Sequence, residues 1–254
     1  MIQGVVFDLY GTLFIYGDMM RAWRDWASVC HQFFSEFGYK EDSGTLNTSL
    51  NGFFAEMAAV SSWQGMTVYE SALRHAAERL NILVPESEYR RLADDSCAIW
   101  QKQIVIDPDT LDVLKILRER GLRLGLLSNY DHTPHIVSLL QEYELESYFD
   151  VIMVSEQTGY KKPQIEIFQL MEQRLGVSAS DLIYVGDHPE KDIAGAVGAG
   201  WQAALIAREG EMDRLHLDFY SDLTPGQEEK LKEIASLDFY KIATLREIPS
   251  ICGF

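Results

Sequence analysis

Five residues of this chain have types and settings that could do chemistry: Asp8, Ser128, Asn129, Lys162 and Asp187. Asp8, the Ser128–Asn129 pair and Asp187 each close a short apolar run, in "GVVFDLY", "LRLGLLSN" and "DLIYVGD". A carboxylate such as Asp8 can attack as a nucleophile and form a covalent acyl intermediate. Gly11, just beyond it, permits a tight turn and lets backbone N–H groups approach an anion. The hydroxyl of Thr12 or Ser128 can donate to a phosphate or carboxylate oxygen. Lys162, in "GYKKPQIEIF", supplies positive charge that offsets repulsion between Asp8 and an anionic substrate. Pro163 after it suits a helix start. Asp8 and Asp187 together suit Mg²⁺, a hard cation held by one or two carboxylates and several waters.

Strands must bring these residues together, and the pattern supplies them. After residue 104, helical stretches such as "DTLDVLKILRERG" and "PQIEIFQLMEQRLG" alternate with the short apolar runs "LRLGLLSN", "FDVIMVSE", "DLIYVGD" and "WQAALIA". Alternation of this kind means βαβ units and a parallel sheet with helices on its faces. Ligands bind at the carboxyl ends of strands in such sheets, where the polar residues fall. Between the first strand and the rest lie residues 16–104, which read as helical. In "DMMRAWRDWASVCHQFFSEFG", Met19, Trp23, Trp26, Ala27, Cys30, Phe33 and Phe34 recur every three or four positions. Thr67 and Pro85–Glu86 read as helix starts. The expected organisation is an α/β core, residues 1–15 and 105–254, interrupted by an all-helical cap, residues 16–104. The acidic stretch 210–238 reads as a surface excursion with one helix, and "FYKIATLREI" as a last short strand and turn.

Composition narrows the partners. With 47% hydrophobic and 24% charged residues, the 254-residue chain is of globular type. A formal net charge of −17 argues against nucleic acid and against an anionic membrane surface. A small anionic substrate stays compatible with it, because a local cation overrides the global field. The three cysteines, Cys30, Cys97 and Cys252, are scattered and form no CxxC, which suits free thiols in a reducing compartment. No run is apolar enough to span a membrane, and no basic leader precedes the first apolar run. A cytoplasmic protein, monomer or homodimer, is the expectation.

"DLYGTL", "LLSN", "KKPQIEIF" and "VGDHPEKD", in that order, resemble the four motifs of the haloacid dehalogenase superfamily. The resemblance covers residues 1–15 and about 105–205, and the helical block is similar to that superfamily's cap inserted after the first motif. It implies a Rossmann-like fold and a hydrolase. It implies Asp8 as the covalent nucleophile and Ser128, with Asn129 beside it, as substrate-binding. Lys162 rather than Lys161 would be the motif lysine. Asp187 would bind Mg²⁺ with Asp8 and the backbone carbonyl of Tyr10, and Asp192 would sit in or next to the metal shell.

Tyr10 breaks the pattern. The superfamily's phosphatases resemble one another in carrying a second Asp at this position, which protonates the leaving alcohol and then activates water. A phenol with a pKa near about 10 is a possible donor and a poor base. The 2-haloacid dehalogenases commonly have tyrosine there, since a halide leaves without a proton. Asp187 points the other way, because those dehalogenases use no metal. A Mg²⁺-dependent phosphatase of a small phosphorylated metabolite is the favoured reading. A metal-independent 2-haloacid dehalogenase is the second, and a catalytically weak ligand-binding or regulatory protein the third. Arg21 and Arg24 read as a solvated helix face, and His132 and His188 as pocket-rim residues. "GAVGAG", which lacks the dinucleotide-binding spacing, reads as close helix packing.

Overall fold

β1, Gly4–Phe7, is an inner strand of the main sheet and its four residues are all buried. A strand buried on both faces must be apolar throughout, which is why "GVVF" shows no alternation. The computed structural model describes residues 1–57, 60–208 and 225–254. Six parallel strands form the main sheet in the order β5-β4-β1-β6-β7-β8, where β4 is Arg123–Ser128, β5 Val151–Val154, β6 Leu182–Gly186, β7 Gln202–Ile206 and β8 Tyr240–Ile242. Phe7 pairs with Leu126 on one side and Val185 on the other, so the next residues, Asp8, Leu127 and Gly186, emerge at one edge. The chain runs from β4 outward to β5 and then returns to the far side of β1 as β6. That reversal makes the switch point at which open α/β sheets bind ligands.

Helices cover both faces of this sheet. On one face Val6, Leu127, Tyr184 and Ala203 pack with α9, Ile165–Leu175, through Phe168 and Met171. The other face carries α6, Thr110–Glu119, whose Val113, Leu114 and Leu117 are buried. α9 ends at Gly176 in the left-handed conformation, as the sequence predicts. "EKDIAGAVGAG" divides into a wider π turn, Pro189–Ala194, and the short α10, Gly195–Gly198. The reading of its glycines as close packing holds for Gly195 and not for Gly198, which has open space around it. A Cβ on Gly195 would lie 2.7 Å from two ring atoms of Phe168.

The chain divides into two compact units. The first comprises Met1–Ile15, Ile106–Asn129 and Leu140–Phe254, and the second Tyr16–Val105 and Tyr130–Leu139. Residues 130–139, expected in the α/β part, therefore group with the helical unit. The buried His132 gives the physical reason: its ring nitrogens bond Thr67 Oγ1 at 2.9 Å and Asp94 Oδ1 at 3.0 Å. The helical unit contains α1, Met19–Glu36, α2, Ser43–Ser49, α3, Phe53–Met57, α4, Val68–Arg79, and α5, Tyr89–Gln101. Trp26, Cys30, Phe33, Phe34, Leu73 and Leu92 lie in its core. Thr67 caps α4 in a reciprocal capping box with Glu70, and a 3₁₀ turn at Glu86–Glu88 leads into α5.

Two differences from expectation lie in the block 16–104. The stretch "SLNGFFAEMAAV" is not one helix, since α2 and α3 are separated at residues 50–52, where Gly52 has a positive φ. Two three-residue strands, β2, Phe14–Tyr16, and β3, Ile104–Ile106, pair where the chain passes from one unit to the other. Residues 210–224 of the acidic stretch lie outside the described residues. Its helix begins at Pro225, as α11, Pro225–Ala235. Among the described residues no helix is long and apolar enough to cross a membrane.

Candidate active site

Three carboxylates meet at the carboxyl edge of the sheet. Asp8, Asp187 and Asp192 each offer an oxygen, and these oxygens lie within 4.8 Å of one another. β1 and β6 deliver Asp8 and Asp187 side by side. Asp192 reaches them because the π turn after β6 carries it back, and its Oδ2 accepts from the His188 N–H at 2.9 Å. Gly11 closes the other side. Its φ of +85° is left-handed, and a Cβ there would overlap the Asp187 carboxylate, so only glycine fits.

Lys162 is the counter-charge. Its Nζ lies 2.7 Å from Asp8 Oδ1, 2.6 Å from Asp192 Oδ1 and 2.6 Å from the Tyr184 hydroxyl. Those contacts use all three ammonium donors. Lys162 and not Lys161 reaches Asp8. Three carboxylates thus face one ammonium, and among the described residues Asp187 has no ion pair. Burial, reinforced by Asp192, lifts the Asp8 pKa to about 6 against the pull of Lys162. Burial, then the charges of Asp8 and Asp192, raises Asp187 well above the carboxylate range. Burial lowers the Lys162 pKa, but Asp192 and Asp8 outweigh it and hold the group charged.

The other predicted residues fall as follows. Ser128 is buried at the end of β4. Asn129, expected beside the substrate, brackets the Lys162 backbone instead. Its Oδ1 accepts the Lys162 N–H and its Nδ2 donates to the Lys162 carbonyl, both at 2.9 Å. This fixes the segment whose Lys162–Pro163 bond is cis. Thr12 is fully buried, and among the described residues its hydroxyl finds no hydrogen-bond partner. Tyr10 is bridged to Phe14, with ring centroids 6.3 Å apart. His188 caps the π turn through Nδ1, and burial then Lys191 push its pKa down to about 4. His132 is buried within the helical unit, so it lines no rim, while Arg21 and Arg24 are exposed on α1.

Tyr184 is a residue that sequence reasoning misses. Its hydroxyl donates to the Leu127 carbonyl at 2.9 Å and presents its lone pairs to Lys162. A tyrosine in a strand buried on both faces is the only signal, since a buried hydroxyl needs a partner.

The fold and this edge define a class: a haloacid dehalogenase-type hydrolase. The family model described as haloacid dehalogenase-like hydrolase matches residues 2–200, and the chain belongs to that family. Among curated relatives, an (S)-2-haloacid dehalogenase of Pseudomonas fluorescens is 27% identical over 223 residues, 84% of this chain and 88% of the relative. A ribulose-1,5-bisphosphate 5-phosphatase of Halopiger xanaduensis is 32% identical over 122 residues, 48% of this chain and 51% of its own length. A phosphatase of the same superfamily from Thermococcus onnurineus superposes with a TM-score of 0.64 at 20% identity, covering 99% of this chain and 98% of that one.

Proposed function

We propose that the chain is a Mg²⁺-dependent phosphatase of a small phosphorylated metabolite with Asp8 as nucleophile. The observation that carries this reading is the cluster of Asp8, Asp187 and Asp192 around a single lysine. Carboxylates this close repel unless a cation lies among them, and their hard oxygens suit Mg²⁺. Asp8, Asp187 and the Tyr10 carbonyl would hold the ion, with Asp192 at its margin. Bound there, it would neutralise charge between the carboxylates and a phosphoryl group.

Asp8 attacks phosphorus and the ester P–O bond breaks, its electron pair leaving with the alcohol oxygen. Tyr10 is a candidate donor of the proton that oxygen takes. Water then attacks the phosphorus of the aspartyl phosphate, one of its protons returning to the Tyr10 phenolate as phosphate leaves and Asp8 is restored. A phenol donates its proton less readily than the second Asp would, so turnover is slow. Lys162 holds Asp8 in place and balances charge throughout, while Ser128 and the backbone N–H groups near Gly11 hold the phosphoryl oxygens.

The second reading, metal-independent dehalogenation of a 2-halo acid, is favoured by Tyr10 and by the relative from Pseudomonas fluorescens, which matches along most of this chain. There Asp8 attacks the carbon bearing the halogen, halide leaves, and the ester is hydrolysed. A paired assay separates the two: phosphate release from p-nitrophenyl phosphate with and without Mg²⁺, and chloride release from 2-chloropropionate in chelator. Mg²⁺-dependent phosphate release lost in Asp8→Asn supports the phosphatase, and chloride release in chelator overturns it. Binding of a phosphorylated ligand without either turnover would favour the regulatory reading.

A further inference from the structure

Arg208 follows β7 and lies far from the motifs in sequence, yet it grips the turn behind the nucleophile. Its Nη1 donates to the Gly11 carbonyl at 2.6 Å and its Nη2 to the Thr12 carbonyl at 2.7 Å. Nε and Nη2 also donate to Asp107 Oδ2, at 3.0 and 2.6 Å. Asp107 is buried and fixed in turn. Its N–H donates to the Leu13 carbonyl at 2.9 Å and its Oδ1 accepts from the Asp109 N–H at 2.8 Å. Thr110 Oγ1 donates to the same Leu13 carbonyl at 3.0 Å. The carbonyls of three successive turn residues, Gly11, Thr12 and Leu13, are therefore all held from one side.

We infer that Arg208, held by Asp107, is a positioning residue for the hydrolytic reaction. It sets the 9–14 turn and thereby the geometry of Asp8, Tyr10 and Gly11. The chemistry requires arginine. Only a planar fork with five donors reaches two carbonyls and a carboxylate at once, whereas a lysine ammonium could keep the pair with Asp107 but not both carbonyls. The turn's own backbone bonds run from the Gly11 N–H to the Phe14 carbonyl and from the Leu13 and Phe14 N–H groups to the Leu9 carbonyl, so they leave the carbonyls of residues 11–13 to the clamp. The clamp also joins both passages of the chain, since Gly11–Thr12 precede β2 and Asp107 follows β3.

The role rests on Asp8 being the nucleophile, and the test has a readout that does not. Arg208→Ala, Arg208→Lys and Asp107→Asn are compared with wild type and with Arg118→Ala, which breaks a surface ion pair with Asp150 in the same unit. Hydrogen exchange is followed on peptides covering residues 9–14 and, as reference, β4. Turnover is followed with whichever of p-nitrophenyl phosphate or 2-chloropropionate the wild type cleaves. In Arg208→Ala, exchange over residues 9–14 should speed up about tenfold or more with β4 unchanged. Misplaced reacting groups cost up to about 100-fold, so kcat should fall about 10- to 100-fold with KM within about threefold. Arg208→Lys should recover thermal stability without recovering kcat, and guanidinium in solution should partly restore Arg208→Ala. Unchanged exchange over residues 9–14, or unchanged kcat in Arg208→Ala, overturns the inference. An equal loss in Arg118→Ala also overturns it, because the effect would then be general destabilisation. If the wild type cleaves neither compound, the function reading fails while the exchange result still decides whether the clamp exists.

Discussion

Asp187→Asn should stabilise the protein in chelator and abolish its stabilisation by Mg²⁺. Asp187 lies within 4.8 Å of Asp8 and Asp192 with no ion pair of its own among the described residues. Two unit charges at that separation repel by roughly 3 kcal/mol at an effective dielectric constant of about 20. Its folded pKa is raised above the ordinary value of 3.8, so above pH 4 the folded state binds more protons than the unfolded one. Stability is then lost as pH rises from about 4 towards the folded pKa, at up to about 1.4 kcal/mol per pH unit. Holding the proton at pH 7 costs at most about 4 kcal/mol, which caps the effect. The asparagine variant escapes that cost, so its advantage should be near zero at pH 4 and grow with pH to no more than about 4 kcal/mol at pH 7. For a chain of this size that cap is roughly 8–16 °C in Tm. A cation at 100 times its Kd should stabilise wild type by about 2.7 kcal/mol and leave Asp187→Asn where it was. Thermal unfolding at pH 4 to 8, in EDTA and in Mg²⁺, reads both effects. An Asp187→Asn variant no more stable than wild type at pH 7 in EDTA, or one stabilised by Mg²⁺ as much as wild type, would refute the reasoning.

Other outcomes follow from the same geometry. Tyr10→Asp should raise Mg²⁺-dependent phosphate release by about 10- to 100-fold, since general acid–base groups contribute about 10²- to 10⁴-fold; steady-state kinetics on a phosphate ester checks it. Lys162→Met should abolish turnover, because it leaves Asp8 and Asp192 facing each other without their ammonium, and a kcat within tenfold of wild type would contradict the role given to Lys162. Without cation, binding of inorganic phosphate should weaken as pH rises through about 6, because ionised Asp8 repels the anion, and Mg²⁺ should remove that loss by neutralising the carboxylates; titration calorimetry with inorganic phosphate across pH 5 to 8 measures it. Gly195→Ala should destabilise by about 1–3 kcal/mol through its clash with Phe168, as overpacking of a buried contact does; denaturant unfolding checks this.

The sheet and the position of its reactive edge were legible because apolar strands ending in Asp8, Ser128 and Asp187 repeat one physical pattern. Gly176 as a helix stop and Thr67 as a helix start were legible for equally local reasons. Asp192 was legible only through the spacing of its motif, since nothing local announces a π turn that swings a residue back to the strand end. The roles of Tyr184, Asn129 and Arg208 were not legible. Each acts through a partner more than 20 residues away, and a polar residue does not carry the address of the group it will bond. β2 and β3 escaped because three residues hold too little periodicity, and residues 130–139 because unit membership is decided by contacts such as those of His132.

The central claim is that Asp8 carries a phosphoryl group during a Mg²⁺-dependent reaction. Acid quenching during turnover of p-nitrophenyl phosphate, followed by mass analysis of the peptide containing residues 1–21, tests it most directly. The account predicts a phosphoryl adduct on Asp8 in Mg²⁺, none in EDTA and none in Asp8→Asn. A peptide that stays unmodified with the phosphate ester but gains an ester adduct from 2-chloropropionate in EDTA would contradict it.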